Sequence, residues 1–353
     1  MSFNVRKTGN SYKINYIGGK GRVTNVNKLP AKDKLQTMDF ASFGQPFVNV
    51  TSKLQDARGL DFVNFSKPFY ANNNGYQINS NTINVSSNHN DVNNWLYRIS
   101  IFGGSVSQTT INALNIFCSS IDSAGLRNKF YRLNLFCGDN LDACLMPLYV
   151  STSWTSPNYG FLKEINYNFL NSDFVETGTN GGLLGDGLTK YLDTKVTLYE
   201  LGSLGHVSCY HRGAMNTTSA NVLIRGADGT NGIGLDVQSG AGGLIRGFWS
   251  PANIASFSTN SGGHYLLSRR SSTDMTLYTN GTTTRGDSIN TTPVSFPPSS
   301  WSIFVFALNN VGIPSSLCPT RIQGYSMGSA MTALEAASFS TIMQTFQTSL
   351  NRN

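Results

Sequence analysis

Met275–Thr279 alternates side-chain character and then meets Asn280-Gly281, and no other stretch constrains the chain so tightly. A two-residue hairpin turn needs positive φ at both central positions, which Asn and Gly adopt at the least steric cost. A strand must therefore reverse here. Trp301 and a helix-like run to Leu350 follow, so the C-terminal part is predicted to be a β-hairpin, further strand and one closing helix.

The same style of segment recurs from Lys129 onward. Phe130–Phe136, Ala143–Tyr149, Thr197–Tyr199, His206–Tyr210, Asn221–Ile224 and Ser302–Leu308 are apolar runs bounded by Gly, Asn, Ser or Pro. Short strands at such intervals predict an antiparallel sandwich or barrel. Leu334, Phe339, Met343, Phe346 and Leu350 stand near helical spacing, so the last helix packs on the outside or edge of that body.

Before it, Asp91 is placed to cap a helix carrying Trp95, Leu96, Ile99 and Phe102, which Gly103-Gly104 ends. Ser107 then starts a second helix with an apolar stripe of Ile111, Leu114, Phe117, Cys118 and Ile121, and Gly125 stands just past its end. These stripes read as core contact. Further upstream, Phe47–Val50 and Leu60–Phe65 read as short strands, and ten Asn between Asn72 and Asn94 favour turns over helix. The expected organisation is an extended basic arm over 1–40, a short extended region with an Asn-rich linker over 41–90, a helical hairpin over 91–125 and a β-sandwich with its closing helix over 126–353.

The net charge of +7 belongs to the arm. Residues 1–35 hold eight Lys and Arg against Asp33 alone, a surplus equal to that of the whole chain, so the remainder is balanced. Arg6, Lys7, Lys13, Lys20, Arg22 and Lys28 are the residues expected to anchor the arm to a partner. Their spacing is not the cluster that grips nucleic acid, which leaves an acidic protein surface or a membrane as the partner, or a solvated arm. Charged residues make up only 13% of the chain, well under the roughly one quarter common in globular domains. A polar, weakly charged surface suits either a turn-rich β protein or a subunit covered by neighbours.

Cys118, Cys137, Cys144, Cys209 and Cys318 are odd in number and contain no CxxC pair, which argues against a disulfide framework or a zinc site and for buried free thiols in a reducing compartment. Met1–Lys7 lacks an apolar core for a signal peptide, and no run of about 18 apolar residues could span a bilayer. No cofactor is expected.

Catalysis would need a constellation, and the acids do not supply one. Glu164, Glu176, Glu200 and Glu335 are far apart in sequence, while Asp139 and Asp142 flank a turn. His206, Tyr210, His211 and Arg212 are the one group suited to lyase chemistry. On a strand His206 and Tyr210 share a face and His211 takes the other, and the first two read as structural. Arg285-Gly-Asp287 reads as a turn. Asn180–Gly182, Gly185–Gly187 and Gly240–Gly243 lack the helix and Lys-Ser/Thr of a phosphate loop and read as hairpin turns. Asp186 and Asp228 are the turn acids a calcium site would use, though no metal site is assigned. Trp154, Tyr159, Trp249, Tyr265 and Tyr278 are candidate sugar-stacking aromatics in or near loops, or else covers for a sheet edge or subunit contact.

Three passages carry a resemblance: Leu126–Leu141 with its preceding helix, Phe174–Leu192, and the ending from Tyr325–Gly328 through Gln344–Arg352. Together they resemble bacteriophage and prophage virion proteins with a concanavalin-like or laminin-G-like jelly-roll domain. The resemblance implies a mainly β, antiparallel jelly-roll sandwich in a non-enzymatic virion structural protein, a capsid or tail component or decoration such as a tail fibre. Its partners would be other virion subunits and copies of itself, and its location the virion, after synthesis in the host cytoplasm. The same fold serves lectins and glycan-cleaving enzymes, so a receptor-binding module for host surface glycans and a glycan depolymerase are the alternatives.

Overall fold

The computed structural model describes residues 2–8, 11–17, 77–78 and 81–82, and from 88 to 352 all but 151–162, 213–220, 230, 239–243, 251, 258–261, 288–291 and 299. The chain divides into two compact units, Met1–Asn88 and His89–Asn353. In the first, β1 (Ser2–Thr8) pairs antiparallel with β2 (Ser11–Ile17), and β3 (Gln77–Ile78) with β4 (Asn81–Thr82). The start of the basic arm is thus a hairpin and not a single extended run. Gly9-Asn10 between the strands is a pair that suits a tight reversal. The expected strands at 47–50 and 60–65 lie outside the described residues.

The second unit opens with helices α1 (Asn90–Ile101) and α2 (Gln108–Ser123). The cap of α1 is His89, whose Nδ1 accepts from the Asp91 N–H at 3.1 Å, and not Asp91 itself. Asp91 lies inside the first turn, and its carboxylate takes Arg127 at 2.8 and 3.2 Å instead. Ser107 caps α2 as expected, accepting from Thr110 N–H, and Gly125 follows with φ 68°.

Two sheets make the body. The first has the order β18 (Thr282–Asp287), β17 (Met275–Thr279), β16 (Gly263–Arg269), β11 (Gly205–Arg212), β22 (Arg321–Gly328), β5 (Phe130–Asn134) and β6 (Tyr149–Val150), with β9 (Gly182–Leu184) also on β22 and β8 (Phe174–Val175) on β9. The second runs β15 (Ala252–Phe257), β14 (Leu244–Trp249), β13 (Gly232–Gln238), β12 (Asn221–Ala227), β19 (Ser302–Val305), β10 (Tyr191–Thr197) and β7 (Ile165–Tyr167), with β20 (Leu308–Asn310) on β12 and β21 (Ile313–Ser315) on β20. Pairing is antiparallel except between β12 and β20, where the chain has reversed after β19 through Phe306 at φ 70°. This is the antiparallel sandwich that the strand pattern predicts, of the jelly-roll type that the resemblance implies.

Strand alternation builds the core. Val207, Cys209, Tyr265, Leu267, Leu277, Tyr325 and Met327 of the first sheet meet Leu192, Ile224, Leu235, Ile245, Trp249, Ile303 and Val305 of the second in one buried cluster. Each such side chain contributes about 1.5–3 kcal/mol by leaving water. Asn280 and Gly281 turn β17 into β18 with φ 50° and 80°, the left-handed pair the sequence predicts.

Two expected strands are partly helical for a local reason. Within Ala143–Tyr149 only Tyr149 is strand, because Asn140 Oδ1 accepts from Ala143 N–H at 3.0 Å and starts α3 (Leu141–Cys144). Thr197–Tyr199 becomes the start of α4 (Leu198–Leu201), since Thr197 and Glu200 cap each other reciprocally. Conversely, Arg285-Gly-Asp287 is no turn but the end of β18, paired with Met275–Leu277.

The closing helix α5 (Ala333–Ser349) lies on the outer face of the first sheet. Its Phe346 packs edge-on against Phe117 of α2 at 5.6 Å, and its Phe339 meets Phe130 at 4.8 Å. Beyond it, fully buried Arg352 donates to Leu135 O (3.2 Å), Phe136 O (2.9 Å) and Glu176 O (2.6 Å) and pairs with the Glu176 carboxylate at 3.2 Å. Glu176 also accepts from Gly138 N–H at 2.8 Å and from the Thr110 hydroxyl. Gly181 is glycine because a Cβ there would stand 2.4 Å from Arg352 Cγ.

Arg352→Ala strands the Glu176 carboxylate, and chemical denaturation should show a loss of about 3–5 kcal/mol. Gly281→Ala forces a side chain into positive φ with Ala337 Cα at 3.0 Å, and the same measurement should show a loss of about 1–2 kcal/mol.

Candidate functional site

The aromatic residues proposed from sequence as sugar platforms do not sit at a rim. Trp249, Tyr265 and Tyr278 are 0%, 2% and 1% exposed, the first two turned by strand alternation into the core between the sheets, while Trp154 and Tyr159 lie outside the described residues. Of the arm cations, Arg6 and Lys7 fall on β1 and Lys13 on β2, with Arg6 across from Lys13; Lys20, Arg22 and Lys28 lie outside the described residues.

The His206–Arg212 group divides as alternation requires. His206 and Tyr210 face α5: His206 Nδ1 binds Ser329 O at 2.8 Å, and Tyr210 OH donates to Gln344 Oε1 at 2.6 Å. Neighbouring His264 binds Ser340 Oγ at 2.6 Å. After a register shift, His211 points the other way and stacks on Tyr265 at 5.0 Å, both of its ring nitrogens lacking a hydrogen-bond partner among the described residues. Burial lowers the pKa of His206 to about 4 and those of His211 and His264 to about 3. All three are neutral packing residues.

The acids are likewise committed to structure. Glu164 holds Arg132 bidentately at 3.0 and 3.0 Å and accepts from Tyr325 OH. Burial works against the Arg132 charge, but Glu164 and Tyr325 outweigh it and keep its pKa above the usual arginine value. Glu200 and Glu335 cap α4 and α5. Asp186 accepts the N–H groups of Leu188, Thr189 and Lys190 at 2.8, 2.8 and 3.0 Å; burial opposes its charge, yet these bonds hold its pKa well below the usual carboxylate value. Asp228 accepts Asn231 N–H at 3.1 Å. His89, Asp91 and Cys118 bring donor atoms within 4.8 Å of one another. Asp91 there is engaged by Arg127, His89 Nε2 meets Asp122 at 2.9 Å, and burial pushes the Cys118 thiol up to about 12.

The side chains with unspent chemistry lie on the outer face of the second sheet. At one end Tyr167 of β7 and Tyr191 of β10, paired in register, stack at 4.3 Å with their planes 7° apart, and Phe304 of β19 continues the row at 4.8 Å. Tyr167 keeps 37% of its surface in water. Toward the other end Asp236 of β13 holds two arginines: Arg246 through Nε at 2.7 Å and Nη2 at 2.8 Å, and Arg225 through Nη1 at 3.1 Å. Arg225 also lies 3.7 Å over the Phe248 ring. Burial pushes the Asp236 pKa up although both arginines pull it down. Sequence reasoning passed over these residues. Their signal was a charge between inward apolar positions, as in Leu235-Asp-Val237 and Ile245-Arg-Gly247, and only strand register shows that the charges meet.

No family model and no curated protein matches the chain. Among solved structures it is similar over part of its length to NanB sialidase from Streptococcus pneumoniae (13% identity, 44% of this chain and 27% of that one, TM-score 0.35). It is similar as well to the CBM40 of the Ruminococcus gnavus IT-sialidase (9% identity, 42% and 92%, TM-score 0.33) and to the receptor-binding domain of botulinum neurotoxin C/D mosaic serotype (10% identity, 60% and 50%, TM-score 0.39). The match spans little more than a quarter of the sialidase chain, 27%. Among the described residues no helix is long and apolar enough to cross a membrane.

The buried histidines make stability depend on pH with a definite sign. Unfolded, each takes a proton near 6.5; folded, none does until pH 3–4, so stability is full above about pH 7 and falls as pH drops. His211→Phe keeps the stacking on Tyr265 and removes one such group. Melting curves should show the variant less acid-sensitive than wild type by about 2 kcal/mol between pH 8 and 5, whereas parallel profiles would contradict a neutral His211.

Proposed function

We propose that residues 89–353 form a non-catalytic saccharide-recognition module, carried by a phage virion protein whose N-terminal unit attaches to other virion subunits. The stacked Tyr167–Tyr191 pair, with Phe304 beside it, carries the saccharide reading. A sugar ring offers an apolar face of C–H groups and an edge of hydroxyls, and a half-exposed aromatic ring on a rigid strand, with polar groups nearby, suits both. The pair is held by backbone register rather than by a loop, so little ordering is lost on binding. Asp193 and Lys195, paired at 2.7 Å on β10, add polar atoms beside it. The outer face of the first sheet is occupied by α5 instead. The phage setting rests on the resemblance of Leu126–Leu141, Phe174–Leu192 and the C-terminal run.

Glycan-array and titration measurements on the full chain test the module. Tyr167→Ala should weaken binding of a recognised oligosaccharide by roughly tenfold with the melting temperature little changed; unchanged binding removes this face as the site. Deleting residues 1–35 should abolish incorporation into particles, and particles that still contain the shortened protein would refute the anchor.

A further inference from the structure

The arginine pair on the same sheet face has a chemistry of its own. Asp236 is 1% exposed and spends both carboxylate oxygens on Arg225 and Arg246, so it braces two guanidinium groups while neutralising only one. The cluster keeps one net positive charge. Arg225 and Arg246 retain 20% and 25% side-chain exposure, enough for a ligand to reach them. Most of their N–H donors have no protein partner among the described residues, and Arg225 Nε is buried without one.

The two groups are also held still. Arg225 is pinned between Asp236 and the Phe248 ring, and Arg246 lies 5.2 Å from the same ring while gripping Asp236 through two nitrogens. Gly234 stands between Arg225 and Phe248 in the register, and a Cβ there would meet Ile224 O at 2.3 Å and Arg225 Cβ at 2.6 Å. The glycine lets both side chains lie close over the sheet. Rigid, partly desolvated guanidinium groups with a surplus charge and free donors match a compact oxyanion, which can take parallel N–H bonds from the fork.

We infer that Arg225 and Arg246 seat the acidic substituent, a carboxylate or a sulfate, of a saccharide lying along the second sheet. This rests on the saccharide reading above and adds the ligand's charge. Tyr167 and Tyr191 sit on the far side of β12 and β19 from β14, so several strand spacings of about 4.8 Å separate the two patches and an oligosaccharide, not a single ring, would touch both.

The test uses matched probes on the full chain: oligogalacturonate against its methyl ester, and dextran sulfate against dextran. Charged probes should bind more tightly than their neutral partners, the preferred pair should tell carboxylate from sulfate, and the preference should shrink as ionic strength rises. Arg246→Gln and Arg225→Gln should each weaken the charged probe by roughly tenfold or more and leave neutral binding unchanged. Should either variant fail to fold, Asp236→Asn keeps the shape and raises the local charge, and it should bind the charged probe several-fold more tightly. Equal binding of charged and neutral partners, or an Asp236→Asn variant indifferent to charge, overturns the acidic assignment while the saccharide reading stands. If none of the four probes binds, both fall.

Discussion

Successive side chains of a strand point to opposite faces, and burying the two inner faces against each other settles most of what else this protein must do. Once Leu267, Tyr325 and Met327 meet Ile224, Ile245 and Trp249, every second residue is committed to an outer face. The two outer faces are then treated differently. That of the first sheet carries His206, Tyr210, His264 and Ser268, polar groups that would be costly to bury unpaired, and α5 with the segment before it supplies Ser329, Met331, Ser340 and Gln344 as partners. That of the second sheet keeps Tyr167, Arg225 and Arg246 partly in water. A helix-covered face and a partly exposed one therefore arise from one alternating pattern.

Buried charge joins the parts that alternation alone leaves loose. Arg132 on β5 takes Glu164 from before β7 and Tyr325 from β22; Arg352 takes Glu176 and two carbonyls after β5. An isolated ion in such places would be prohibitively desolvated, so each pair demands its partner and specifies which segments meet. Through Glu176 and Thr110, α2 is bonded to the sandwich, which makes the helical pair part of the unit that begins at His89.

The legible part of the fold was the part governed by local chemistry. Asn280-Gly281, the Ser107 cap, Gly125 and the periodicity of α5 each state their geometry in a few adjacent residues. Where expectation failed, a neighbouring side chain competed for the backbone: Asn140 and Thr197 turned apolar runs into helical turns, and His89 displaced Asp91 as a cap. The exposed-aromatic expectation failed for a different reason. Trp249 and Tyr265 stand near glycines and polar turns in sequence, but strand parity points them inward.

The amino-acid sequence by itself determined the antiparallel β character of the second unit, the closing helix, the concentration of positive charge in the first 35 residues and the unpaired thiols, because each follows from composition, turn chemistry or spacing within a few residues. Only the tertiary structure decided which side chains meet. Tyr167 and Tyr191, or Arg225, Asp236 and Arg246, come together through strand register and sheet order. Those are properties of the whole packed body, because a one-residue slip would send every one of these side chains to the opposite face.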